Sequence, residues 1–335
     1  MPGRARRADP ASPGGSEGGR RFLVVALMRV GVVRNPMSHA NIGRSEPDGP
    51  GQTPDAVLLV EPATPEALEQ DLQAFAQCGV KMLVIDGGDG TIRDVLSRAA
   101  TIFGEAMPLI ALIPSGKTNV LAIDLGVPRD WTLAKALAAA RSETAVIKHR
   151  APLEVRWDDG RPSLRGFVFG LGAFVRATSL AQTVHKTGAF HSIAVAMSVL
   201  GALVGTVMGG KRDQWRAGVP LCLAIDGEET RTADRFLVLA TTLKRLPFGV
   251  KPFGPPREGL KFLDVDAPPR GLPGAFPALV AGKESAWSGR RGYRRGDASR
   301  LRITTNQPLV VDGDVYDGAG GVTVVLGPTL RFLAG

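Results

Sequence analysis

Residues 87–91 read Gly-Gly-Asp-Gly-Thr, between an apolar run at 80–86 and a stretch with helical spacing at 91–103. Glycines at 87, 88 and 90 remove Cβ atoms and permit left-handed backbone, so amide N–H groups can face an anion at close range. A helix N-terminus just beyond adds partial positive charge. That chemistry is phosphate binding; a tight strand-to-helix turn without a ligand is the competing reading. A second loop of the same kind follows, where Pro114-Ser115-Gly116-Lys117-Thr118-Asn119 ends the next apolar run and opens another helix. Asn35-Pro36-Met37-Ser38 closes the first β-branched run. Neither glycine loop has the spacing of a P-loop or of a GxGxxG dinucleotide turn. Three polar loops on one sheet edge predict a nucleotide site that takes a polyphosphate.

The elements that must carry these loops follow from the same stretch. Runs at 28–34, 56–62, 80–86 and 108–113 have strand character. Helical patterns at 64–79, 91–103, 118–126 and 130–142 alternate with them, the first marked by Thr64 and Pro65 at its start and Gly79 at its stop. This alternation predicts an α/β, doubly wound, nucleotide-binding domain over 28–145. From about residue 146 the pattern changes to short strands divided by turn residues, which predicts a mainly antiparallel β-sandwich over 146–335. One apolar stretch, 189–208, reads as a helix within it.

Composition narrows the partners. Lys and Arg number 41 against 32 Asp and Glu, giving a formal charge of +9. That excess favours an anionic partner: a nucleotide, nucleic acid or an acidic membrane surface. Two cysteines, Cys78 and Cys222, argue against a disulfide framework and suit a reducing cytoplasm. The four histidines have no zinc-ligand spacing with cysteine. Residues 1–27 read as an upstream extension, its first twenty positions of disordered composition, with Met28 as the expected natural start.

Gly87-Gly88-Asp89-Gly90-Thr91, Asn35-Pro36-x-Ser38 and Pro114-x-Gly116-x-Thr118-Asn119 together resemble the diacylglycerol kinase catalytic-domain family. That family includes sphingosine and ceramide kinases and bacterial soluble lipid kinases. The first motif is shared with NAD kinases; its combination with the other two points to lipid kinases. Val-Val-Asp-Gly-Asp at 310–314 is similar to the family's late Asp-Gly-Glu, with Asp314 where the family has Glu. The chain departs from the pattern elsewhere: His39 replaces a glycine, Lys117 a threonine, Val120-Leu121 an Asp-Phe pair, and Glu258 an aspartate.

The resemblance, which runs over 28–335, implies an ATP-dependent lipid kinase with its active site between an α/β domain and a β-sandwich. It implies Mg²⁺, which neutralises charge between the β- and γ-phosphates. On this reading the backbones of Gly87, Gly88, Gly90 and Gly116 hold the phosphates, and Thr91 and Thr118 add hydroxyl donors. Asn35 and Asn119 fix the nucleotide, and Lys117 acts as a mobile point charge. Asp89 and Asp314 are the candidate catalytic acids, either able to accept the lipid hydroxyl proton. Asp226-Gly227-Glu228, of similar spelling, is read as a hairpin turn. Glu258 is implied in a metal network.

The expected partners are a lipid substrate and an anionic membrane surface, with no nucleic acid, since no nucleic-acid motif accompanies the charge. Lys283, Arg290, Arg291, Arg294, Arg295, Arg300 and Arg302, with Trp287 and Tyr293 among them, would make that contact peripheral, on the inner membrane face of a cytoplasmic protein. The 189–208 stretch is long enough to span, but a span would put two halves of one sandwich on opposite sides of a bilayer. It is therefore read as covering a lipid pocket, resting on the membrane, or lying in the core. A small-molecule kinase acting on NAD and a non-catalytic nucleotide- or lipid-binding module remain alternatives.

Overall fold

The computed structural model describes residues 28–43, 56–185, 216–228, 231–283 and 289–334. Strands β1 (Arg29–Arg34), β2 (Ala56–Val60), β3 (Met82–Gly87) and β4 (Leu109–Pro114) form a parallel sheet in the order β2-β1-β3-β4. Every residue of β3 is buried, as expected for a strand covered on both faces. Helix α1 (Pro65–Gln77) starts where Thr64 Oγ1 accepts the Ala67 N–H at 3.2 Å, and it buries Leu68, Leu72 and Phe75. Phe75 lies flat against the sheet at Gly31, where a Cβ would fall 2.5 Å from its ring. Helices α2 (Asp89–Phe103), α3 (Val120–Leu125) and α4 (Leu133–Arg141) complete the covering layers.

Two further strands join this sheet from beyond residue 146. β5 (Ile147–Arg150) forms its edge, and β17 (Leu330–Leu333) lies between β4 and β5, parallel to the first and antiparallel to the second.

The remainder is an antiparallel, curled sheet of eleven strands. Its main path runs β15 (Asp314–Tyr316), β14 (Leu309–Val311), β8 (Val168–Gly172), β10 (Arg231–Thr241), β9 (Val219–Ile225), β13 (Arg300–Thr304), β16 (Val322–Leu326), β6 (Leu153–Trp157) and β7 (Leu164–Gly166). β11 (Leu260–Asp266) and β12 (Tyr293–Ala298) branch from β10. β10 pairs with β9 through its first half and with β8 through its second. Alternate β10 residues serve two cores: Leu237 and Leu239 pack with the parallel sheet's layers, Val238 and Ala240 inside the curl. Helices α5 (Ala173–His185) and α6 (Leu272–Val280) lie within this second unit.

The expected helix at 189–208 lies outside the described residues, as do Trp287 and residues 1–27. Among the described residues no helix is long and apolar enough to cross a membrane. The basic run behaves differently from its sequence reading. Tyr293 is buried, its hydroxyl donating to Arg270 O at 3.1 Å, so it offers nothing to a bilayer interface. Arg294 pairs with Asp264 and Asp266, and Arg302 with Asp158. The register of β12 on β11 places Arg294 opposite Asp264, which is why those charges are spent internally.

Candidate active site

The three polar loops meet at the carboxyl edge of the parallel sheet, as one hydrogen-bonded body. Asn35 Nδ2 donates to Thr91 Oγ1 at 2.9 Å, and Asn35 Oδ1 accepts the Met37 N–H at 2.9 Å. Buried Asp86 accepts from Asn41 Nδ2 at 3.0 Å and from the Ser115 hydroxyl, while Ala40 N–H donates to Ser115 O at 2.9 Å. Gly88 caps α2 with no side chain to offer. A Cβ on Gly116 would fall 2.4 Å from Gly88 Cα, and one on Gly87 would fall 2.6 Å from Thr91 Cβ. These glycines thus have a packing duty, letting one loop's backbone rest on the other. The duty explains why glycine recurs in both loops at positions that face each other.

Asn119 sits in the left-handed region at φ 50° and spends its amide on its own loop. It accepts from Gly116 N–H at 3.0 Å and donates to Pro114 O at 3.1 Å and Gly116 O at 2.6 Å. Its position makes it, with Asn35, a holder of the loops. Lys117 is exposed and Thr118 half-buried at the same rim. Behind the loops a cavity of about 390 Å³ is lined by Arg34, Asp86, Ser115, Arg129, Trp131 and Lys135 among others.

Three acids converge beside the glycine loops. Asp89 stands in the first turn of α2, half-buried, and its carboxylate takes the Leu121 N–H of α3 at 3.5 Å. Burial raises its pKa from 3.8 to about 6, against the opposing pull of amides at the start of α3. Asp312, in the turn after β14, is buried and takes N–H bonds from Phe167 (3.0 Å) and Val168 (2.9 Å). Its pKa rises to about 7, first from burial and then from the negative charge of Asp89, again against those amides. The charge of Asp89 thus adds to burial in disfavouring the ionised form of Asp312. Asp314 is more exposed; its carboxylate meets Arg93 at 2.5 Å and lies 3.6 Å from where a Gly90 Cβ would be. Arg93 also donates to Val311 O at 3.3 Å and stacks over Tyr316 at 5.5 Å, fastening α2 to the β14–β15 hairpin.

Asp312 is the functional candidate that sequence reasoning passed over in favour of Asp314. Its burial is set by contacts distant in sequence, the Phe167 and Val168 amides, which no local pattern at 309–312 shows. Asp226 holds the turn between β12 and β13, its carboxylate accepting Ser299 and Arg300 N–H groups at 2.7 Å each, which is a structural job. Glu258 is exposed and paired with Lys244. Inside its turn the Lys261 ammonium donates to Arg257 O and Gly259 O at 3.0 Å each. Among the described residues no group of three or more acids, histidines or cysteines is arranged to hold a metal ion.

Comparison with known proteins agrees with this geometry. Residues 53–149 match the family described as "Diacylglycerol kinase catalytic domain", a stretch that holds both glycine loops and ends before the late acids. No curated protein matches the chain. Among solved structures, one of a "putative diacylglycerol kinase" from Bacillus anthracis str. Sterne is similar with a TM-score of 0.65 at 16% identity, over 92% of this chain and 98% of that one. Another, described as a diacylglycerol kinase from the same strain, gives 0.60 with the same identity and coverage. At that identity the likeness speaks to the fold.

Proposed function

We propose that this chain, whose residues 53–149 belong to the diacylglycerol kinase catalytic-domain family, is an ATP-dependent kinase of a lipid hydroxyl. The observation that carries the reading is half-buried Asp89 beside buried Asp312, set against two glycine loops at a helix start. Phosphoryl transfer needs phosphates held, their charge neutralised, and a base at the attacking hydroxyl. The amides of residues 88–90, at the start of α2, supply the first; the Gly116 amide is already held by Asn119. Asp312 supplies the base: the lipid oxygen bonds to the γ-phosphorus, the bond to the ADP oxygen breaks, and the hydroxyl proton passes to Asp312. A carboxyl titrating near neutrality is matched to that task. Asp314, held by Arg93 over Gly90, orients the hairpin that presents Asp312.

Mg²⁺ fits as a companion of the nucleotide, which usually brings it on its own phosphates with one or two protein carboxylates. Asp89 and Asp314 are the carboxylates at hand. When bound, the ion neutralises phosphate charge. Glu258 has no part in this reading. A cytoplasmic protein working at the membrane face suits a lipid acceptor. The NAD kinase alternative is disfavoured by the 114–119 loop, whose combination with the first glycine turn is what resembles lipid kinases.

The test is transfer of the labelled γ-phosphate from Mg-ATP to diacylglycerol, monoacylglycerol, sphingosine, ceramide and NAD in parallel. Labelling of one or more lipids and not of NAD is expected. Labelling of NAD alone, or ATP binding without transfer to any acceptor, would overturn the reading.

A further inference from the structure

A helix on a protein surface normally carries a polar outer face. α6 reads Leu-Pro-Gly-Ala-Phe-Pro-Ala-Leu-Val and has no charged or hydrogen-bonding side chain, yet only Leu272 and Ala275 are buried. Pro273 and Pro277 are exposed, and Phe276 and Val280 half-buried. Beside it runs the loop after β10, where Lys251 N–H donates to Val280 O at 2.8 Å. Gly282, just past α6, packs so closely on that loop that a Cβ would lie 2.8 Å from Lys251 Cβ. At the loop's tip Phe248 is 78% exposed. It also has a φ of 59°, a left-handed conformation that a bulky side chain adopts only at a cost. An exposed, strained phenylalanine contributes little to folding. Arg245, Lys251, Arg270 and Lys283 are exposed around this patch, and none has an acidic partner among the described residues.

We infer that α6 and the 244–251 loop form the surface by which the protein docks on an anionic bilayer, with Phe248 inserted between headgroups. Charge complementarity selects the occupant. An apolar centre ringed by unpaired cations matches an acyl region beneath anionic headgroups. A second copy placed symmetrically would oppose cation to cation. The patch is also tied to the candidate site by short hydrogen-bonded links. Arg245 N–H donates to Asp124 of α3 at 2.7 Å, and the first turn of α3 holds Asp89. Thr241, at the end of β10, holds the carbonyl of Phe167 at 2.7 Å, and the Phe167 amide holds Asp312. Docking through this loop brings the two acids to the lipid surface. The inference rests on the lipid kinase reading for its purpose, although binding can be measured without it.

The experiment uses the full chain with phosphatidylcholine vesicles, with and without phosphatidylserine, in a salt series. The wild type is expected to bind only the anionic vesicles, and less as salt rises. Phe248→Gly relieves the left-handed strain, so its thermal midpoint should equal or exceed the wild type's. Its vesicle partition should nevertheless fall about tenfold or more, the worth of one inserted aromatic side chain. Lys251→Glu should weaken binding about fivefold or more. No vesicle binding by the wild type, or undiminished binding by Phe248→Gly, would overturn the inference while leaving the kinase assay untouched. A Phe248→Gly change in oligomeric mass without a change in vesicle binding would assign the patch to a second copy instead. Vesicle binding that follows these variants in a protein without lipid phosphorylation would sustain the docking surface and sink the kinase reading.

Discussion

Replacing Asp312 with asparagine should slow the protein and stabilise it at once. Asparagine keeps the shape, tolerates the left-handed backbone (φ 48°) at this position, and can still accept the Phe167 and Val168 amides through its carbonyl oxygen. It cannot accept a proton at neutral pH, so turnover should fall about 10²- to 10⁴-fold. The stability change follows from the carboxyl's titration. Its pKa goes from 3.8 in the unfolded chain to about 7 in the fold, chiefly through burial. The fold thus holds this proton more tightly than the unfolded chain does. The stability that comes with it is fully present below about pH 4 and is lost as pH rises through about 7. At about 1.4 kcal/mol per tenfold in acidity, the loss amounts to about 4 kcal/mol at most. Asparagine does not titrate and escapes it. The variant's melting temperature should therefore gain on the wild type by a few degrees between pH 5 and pH 8. The assay is thermal unfolding of both proteins across that range beside steady-state phosphorylation at pH 8. A variant of near-wild-type turnover, or one whose relative stability drops as pH rises, would refute the reasoning.

Asp89→Asn should also reduce turnover by orders of magnitude while keeping α3 in place, since its side-chain carbonyl can still take the Leu121 amide; circular dichroism and the transfer assay check both halves. Gly116→Ala should push the two glycine loops apart, because its Cβ would lie 2.4 Å from the Gly88 backbone; the expected cost is about 1–3 kcal/mol in denaturant unfolding, with weakened binding of an ATP analogue by calorimetry. Asp314→Ala should lower kcat by releasing Arg93 and the hairpin, whereas Asp226→Ala, in a turn that holds only Ser299 and Arg300, should leave kcat as it is. The reverse ranking of those two would show that the wrong hairpin has been placed at the site.

The sequence placed the glycine loops of the candidate site well because their signals are local. A strand, a glycine turn and a helix start are adjacent in the chain, and the loops at 87–91 and 114–119 fall where that grammar puts them. α2 begins two residues earlier than its apolar spacing suggested, since Gly88 caps it and draws Asp89 into the first turn. What escaped notice depends on long-range contacts. The raised pKa of Asp312 comes from burial and then from Asp89, far away in the chain, against amides of Phe167 and Val168 across the curled sheet. Tyr293 and Arg294 look solvent-facing in a basic string and are drawn inward by Asp264 and Asp266 on the neighbouring strand. α6 was missed because two prolines and a glycine in nine residues read as loop.

β17 also bears on how the chain is made. Residues 330–333 form the inner strand that joins β4 to β5, so the parallel sheet lacks a partner along β4 until residue 333 has left the ribosome, more than two hundred residues after β4. Until then β4 presents an open row of backbone donors and acceptors beside apolar Leu109, Ile110 and Leu112, the kind of edge that recruits strands from other molecules. The two units are thus interlocked during synthesis: the parallel sheet waits, exposed at one edge, for residues 330–333 to close it. Any shortening that removes Phe332 and Leu333 leaves the parallel sheet in that open state, with a tendency to aggregate before it can fold.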